Sequence, residues 1–152
     1  MPFLSTRKHR DPYFAPADAE QRLQEAIQLL STLRDMPLHE KTKKKMLNHA
    51  IWLVVESTGN FYSRFRSAGV LATPDVPIQR DHIYPRKQLV GEALANEIDL
   101  ADIVQRAQCC IVTKDEHVRL SKISTTVQGH ERYRLAEVEI HDMATYACVA
   151  RG

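Results

Sequence analysis

The sequence predicts an α+β fold: a helical N-terminal hairpin packed on a core of two strands and a helix, with a helical insertion between the strands. Three observations predict it. Apolar residues recur at helical spacing from about residue 17 to residue 58. Two short stretches, Arg80-Asp81-His82-Ile83-Tyr84-Pro85 and Ile111-Val112-Thr113-Lys114-Asp115-Glu116-His117, read as strand ends, and the second runs into a helix. Between them, residues 86–107 return to helical spacing.

Taken in order, residues 1–16 hold three prolines and the basic run Arg7-Lys8-His9-Arg10, which reads as an extended basic arm. The first helix follows Pro16, with Leu23, Ala26, Ile27, Leu30 and Leu33 on one stripe, and Met36-Pro37 ends it. A second helix spans about Leu38 to Thr58 and stops at Gly59-Asn60. Its second half, Ala50 to Val55, is apolar nearly all round and so is buried. Residues 59–77, with Phe61-Tyr62-Ser63-Arg64-Phe65-Arg66-Ser67, read as a loop or short helix at the end of a helical region placed at 17–75. There Phe61 and Phe65 anchor to the core while Arg64 and Arg66 face solvent or a phosphate.

Val76 to Ile83 reads as a strand with Pro77 at its start. Short helices carry Leu89, Val90, Ala93 and Leu94, then Leu100, Ile103 and Val104. Residues 109–113 form a strand and 114–123 a helix, which closes a core at 76–124. The extension at 125–152 adds a strand from Ala136 to Ile140 and a short helix around Asp142 to Val149, all within one compact unit. In the extension, His130-Glu131-Arg132-Tyr133-Arg134 reads as a solvated segment with Tyr133 packed inward, and His141-Asp142 reads as surface.

Composition narrows the function classes. With 152 residues and 43% hydrophobic content, the chain can bury a core without staples. A net charge of +2 does not by itself mark a nucleic-acid partner, so clustering of the basic residues decides that question. Three cysteines, Cys109, Cys110 and Cys148, without a CxxC pair, argue against a disulfide framework and against a four-ligand zinc site. No apolar run is long enough for a bilayer and residues 1–10 lack a signal-peptide apolar region, so a cytoplasmic protein is expected. Homodimerisation is left open.

The chemistry-bearing residues are Asp81, His82 and His117. Hydrolysis of a phosphodiester needs a base for water, a positive charge for the transition state, and a hold on the phosphate. His82 suits the base, because imidazole titrates near neutral pH. Asp81 and His117 can bind one hard or borderline cation through oxygen and nitrogen. Neighbours on a strand face opposite ways, so Asp81 and His82 share a site only at a strand end or a bulge.

The block Asp81-His82-Ile83-x-Pro85, followed by Ile111-Val112-Thr113-x-x-x-His117, resembles the HNH nuclease motif, the ββα-metal fold. The HNH domains of RNA-guided CRISPR nucleases show the same cadence. The resemblance covers about residues 76–124 and implies a metal-dependent endonuclease acting on DNA, with RNA as an alternative substrate. It makes Asp81 and His117 the metal ligands and His82 the general base. It implies one divalent ion, magnesium by default, with manganese, nickel or zinc also suited. Lys114 and Lys122 would lie near the substrate backbone, with Arg80, Arg86 and Lys87 as further nucleic-acid contacts. The family's middle Asn falls here near Gln108 or Cys109, and the 35 positions from His82 to His117 exceed the compact pattern. The missing Asn motivates the alternative of a non-cutting, HNH-derived module for nucleic-acid binding or interaction. HNH nucleases often serve phage, mobile elements or bacterial defence.

Overall fold

The computed structural model describes residues 13, 15–57, 64–73, 76–95, 99–144 and the backbone of 147–150. The basic run at 7–10 and the side chain of Cys148 lie outside them. The fold is mixed α+β and its chain divides into two compact units. One unit takes 1–14, 61–83 and 109–152; the other takes 15–60 and 84–108. The cuts at 83/84 and 108/109 fall inside the expected 76–124 core. The segment between the two predicted strands therefore groups with the N-terminal helices rather than with those strands.

The helical unit holds α1 (Ala19–Asp35), α2 (Glu40–Glu56), and two helices from the inserted segment, α4 (Arg86–Ala95) and α5 (Leu100–Arg106). In α1, Ala26, Leu30 and Leu33 are buried at the spacing of one helical face. Pro37 disfavours helical backbone at Met36, which turns extended with ψ of 135° and ends the helix. His39 then caps α2, its ring nitrogen accepting from the Lys41 amide at 3.3 Å. Leu47, Ala50, Ile51, Val54 and Val55 form the buried stripe of α2. Asp99 caps α5 through the Ala101 amide. An Arg106–Glu92 ion pair at 2.5 Å ties α5 to α4.

The sheet unit holds five strands in the order β2-β3-β1-β4-β5. These are β1 (Phe65–Ser67), β2 (Ile78–His82), β3 (Cys109–Thr113), β4 (Ile140–Asp142) and β5 (Ala147–Ala150). β3 lies antiparallel to β2 and parallel to β1, and every residue of it is buried. A short run apolar on both faces is what an interior strand requires. Three short helices complete the unit: α3 (Ala68–Ala72), α6 (Lys114–Ser121) and α7 (His130–Leu135). Among the described residues, no helix is long and apolar enough to cross a membrane.

Two expectations give way here. Phe65–Ser67 forms an interior strand where a loop or short helix was expected, because β1 finds partners distant in sequence on both sides; Phe61 lies outside the described residues. In the C-terminal extension a helix at 130–135 precedes two strands, where a strand followed by a helix was expected.

The start of α6 is fixed with unusual economy. Thr113 is both the last residue of β3 and the N-cap of α6. Its hydroxyl accepts from the Glu116 amide at 3.1 Å, while Glu116 Oε1 accepts from the Thr113 amide at 2.8 Å. This capping box satisfies two otherwise orphaned amides. Ser67 Oγ donates to the same Glu116 oxygen at 2.5 Å, which links β1 to α6. A Cβ at Gly69 would stand 2.9 Å from the Glu116 carboxyl, so glycine is needed there for close approach. Glu116→Ala is expected to cost about 2–4 kcal/mol by leaving two buried donors without an acceptor. Urea unfolding checks this, and Gly69→Ala should also lower the midpoint.

Candidate functional site

The site is built on β2, α6 and α7. β2 pairs with β3 in unbroken register through its last residue, with Asp81 opposite Cys110 and His82 opposite Cys109. Alternation turns Asp81 inward, where it is 5% exposed, and sends the half-buried His82 to the opposite face. The register contains no bulge that would bring the two side chains to one face.

Asp81 is a buried carboxylate with several partners. Arg132 grips it with two hydrogen bonds, Nη1 to Oδ2 at 2.7 Å and Nη2 to Oδ1 at 3.2 Å. The Tyr133 hydroxyl donates to Oδ2 as well. His117 Nδ1 lies 3.4 Å from Oδ1. Bidentate guanidinium contacts are the geometry in which a buried carboxylate recovers most of its lost hydration.

Local structure explains the arrangement. His117 follows directly on the capping box, one turn into α6, and α6 packs against β2. Arg132 and Tyr133 come from α7, whose preceding residue Gly129 has φ of 67° and ψ of −149°, a conformation open to glycine. The Gly129 amide donates to the Ile83 carbonyl at 3.1 Å, tying the start of α7 to the chain just beyond β2. Tyr133 is fully buried.

The charges respond to this packing. Burial and then the hydrogen bonds and charge of Asp81 act in opposite senses on Arg132, and the net effect holds its guanidinium above the usual value. Burial, helped by Cys110 and Asp81, pushes the Tyr133 hydroxyl well up. Burial, helped by Asp81 and Glu116, does the same to the Cys110 thiol.

The expected site residues thus separate. The structure brings Asp81 and His117 together. It turns His82 to the other face, where Nδ1 meets Cys109 Sγ at 3.3 Å. Cys109 is one of the two positions expected to stand for the family's middle Asn, and it contacts the histidine; Gln108 is half-buried just before β3. Lys114 and Lys122 are exposed at the two ends of α6, and Arg80 is half-buried on β2. Arg86 and Lys87 open α4 in the helical unit.

Arg64 and Arg66 depart from the expected phosphate contact. Arg66 is fully buried on an interior strand. Arg64 is engaged by Asp142 through two hydrogen bonds of 2.7 Å. Asp142 is itself 5% exposed, so it is an interior partner and not the expected surface residue. Arg132 escaped the sequence reading because its partner lies 51 positions away. The one available signal was Tyr133, whose inward packing carries its neighbour along.

No protein-family model, curated protein or solved structure matches this chain.

The residues can be tested against a divalent ion. Two ligands about 2.1 Å from one ion stand about 3.0 Å apart at a right angle and about 3.4 Å at the tetrahedral angle. Asp81 Oδ1 and His117 Nδ1 have the second spacing. His117 Nδ1 is buried without a hydrogen-bond partner. Oδ2 is filled by Arg132 and Tyr133, while Oδ1 takes one long hydrogen bond and keeps a lone pair. The pair fits one cation as two of its ligands, with water or phosphate oxygens as the rest. Among the described residues, no group of three or more His, Cys, Asp or Glu side chains gathers to hold a metal.

Asp81→Asn should destabilise the protein by about 3–5 kcal/mol, because it strands a half-buried guanidinium. Tyr133→Phe should cost about 1–2 kcal/mol. Because the folded Cys110 and Tyr133 titrate above their usual values of 9.0 and 10.0, their contribution is complete below those values and is lost as pH rises beyond them. Stability should therefore fall above about pH 9, by up to about 1.4 kcal/mol per pH unit for each group. Urea midpoints from pH 8 to 11 check this, and Tyr133→Phe should flatten the limb above pH 10.

Proposed function

We propose that this chain is a metal-dependent phosphodiester hydrolase of the HNH type acting on DNA. The observation that carries the reading is the Asp81–His117 pair, at 3.4 Å with the histidine nitrogen unpartnered by hydrogen bonding. It stands on a strand, an antiparallel strand and a helix in the order the motif requires.

In this reading Asp81 Oδ1 and His117 Nδ1 would hold one divalent ion; magnesium is the default the resemblance implies, but the 3.4 Å spacing suits tetrahedral zinc better than an octahedral ion. When bound, that ion supplies positive charge for the transition state and the leaving 3′-oxygen. Arg132 and Tyr133 fix the Asp81 carboxylate so that Oδ1 faces His117. The motif names His82 as the base that accepts a proton from the attacking water; its ring lies against Cys109 on the other face of β2, so this role requires the end of β2 to turn toward the Asp81–His117 pair.

A second reading, an HNH-derived module that binds nucleic acid without cutting, draws support from two observations. Arg132 already gives Asp81 a cationic partner, and His82 faces away from Asp81.

Plasmid cleavage with magnesium, manganese, nickel, zinc or EDTA separates the two. The hydrolase should nick or linearise DNA only with a divalent ion. His82→Ala should lose at least about 100-fold in rate, the low end for a general base. His117→Ala should need at least about tenfold more metal for half-maximal rate. Cleavage by His82→Ala at the wild-type rate assigns the base elsewhere. Absence of cleavage with every metal, together with retained DNA binding, establishes the module.

A further inference from the structure

The helical unit carries a cationic groove that holds Arg86 and Lys87, two of the nucleic-acid contacts expected from the sequence, while the Asp81–His117 pair belongs to the sheet unit. It has a volume of about 500 Å³ and is lined by Lys44 and Asn48 of α2 and by Arg86, Lys87, Val90 and Gly91 of α4. Lys44 and Asn48 lie one turn apart, as do Arg86 and Val90, and Lys87 and Gly91, so each helix offers one stripe. None of the six lining residues is acidic. Lys44 also meets Glu40 at 3.0 Å, but that is an exposed pair of little energetic weight. The Arg86 guanidinium lies over the Trp52 ring, 4.7 Å from its centre, which holds the cation in place.

Gly91 supplies an independent observation. A glycine inside a helix costs about 1 kcal/mol relative to alanine. Packing within the protein does not require it, because a Cβ there would meet nothing within 4 Å. The missing side chain leaves the exposed floor of the groove open beside three cations. That combination suits a backbone of repeated negative charge that must approach closely, with Asn48 as a hydrogen-bond donor.

We propose that the α2–α4 groove binds the phosphodiester backbone of a DNA strand, with Lys44, Arg86 and Lys87 as phosphate contacts and Gly91 as the clearance. This rests on reading the chain as one that acts on DNA, and it assigns backbone binding to a surface of its own. The cations are spread over two helices around an open groove, which suits a strand better than a single enclosed phosphate.

The test is binding of a fluorescein-labelled DNA duplex to the full chain in EDTA, so that cleavage plays no part. Emission from Trp52, the chain's one tryptophan, gives a second readout beneath Arg86. For the wild type, log affinity should fall linearly with log salt and Trp52 emission should change on binding. The triple variant Lys44→Ala, Arg86→Ala, Lys87→Ala should lose roughly 0.9 of slope per cation removed. Gly91→Leu removes no charge and should weaken binding at least about tenfold by filling the groove, with its far-UV circular dichroism unchanged. Wild-type affinity in both variants, or no DNA binding by the wild type, overturns the proposal. Metal-dependent cleavage, measured separately, distinguishes that failure from failure of the hydrolase reading.

Discussion

Burying the Asp81 carboxylate would cost several kcal/mol if its lone pairs were left empty, and most of the sheet unit is arranged so that they are not. Arg132 fills one side of both oxygens, Tyr133 adds a hydroxyl, and His117 stands at the remaining edge. These partners come from α7 and α6, so one carboxylate locates two helices against β2. The glycine backbone at 129 and the capping box at 113–116 are the local devices that bring those helices within reach. Removing Asp81 would take away the common partner of both.

A second buried carboxylate repeats the logic nearby. Glu116 serves the Thr113 amide and the Ser67 hydroxyl, so it joins β1 and β3 to α6. A third pair, Arg64 with Asp142, joins the end of β1 to β4. A one-residue slip of any of these strands would turn its carboxylate partner to the wrong face. Apolar packing alone would tolerate such slips more readily, because β3 is apolar on both faces. The polar pairs therefore specify register in a sheet whose interior strand β3 carries little register information of its own.

This explains which parts were legible in the sequence. Helix stripes such as Ala26, Leu30 and Leu33 obey a local period, and the breaks at Pro37 and Pro85 are chemical, so the helices and the start of the insertion could be read. The short apolar strand running into a helix is also local, and it placed His117 on a helix start, which the Thr113-to-Glu116 cap fixes in the structure. β1 was not legible: three residues, Phe65 to Ser67, carry no period, and only their pairing with β3 and β4 makes them a strand. In the site, Asp81 and His117 were legible as a pair because their segments carry a motif. Arg132 was not, because nothing in Glu131-Arg132-Tyr133 names a partner fifty residues earlier. The burial of Arg66 was hidden for the same reason, since an arginine between Phe65 and Ser67 looks solvent-directed until the strand it sits on becomes interior.

The two proposed functional readings differ in what binds Asp81. A guanidinium and a divalent ion both seek the carboxylate, but they need not seek the same lone pair. The shorter Arg132 hydrogen bond goes to Oδ2, which Tyr133 also occupies, and the longer one goes to Oδ1. The asymmetry concentrates structural duty on Oδ2 and leaves Oδ1 the weaker-held oxygen, the one facing His117. A purely structural ion pair has no need of that division, since two equal hydrogen bonds would serve it better. A ligand oxygen held in place by its neighbour's bonds does need it, because orientation of the donor must survive arrival of the ion. The uneven grip of Arg132 is the arrangement the proposed hydrolase would need, while the outward turn of His82 leaves the identity of the base as the point on which that proposal turns.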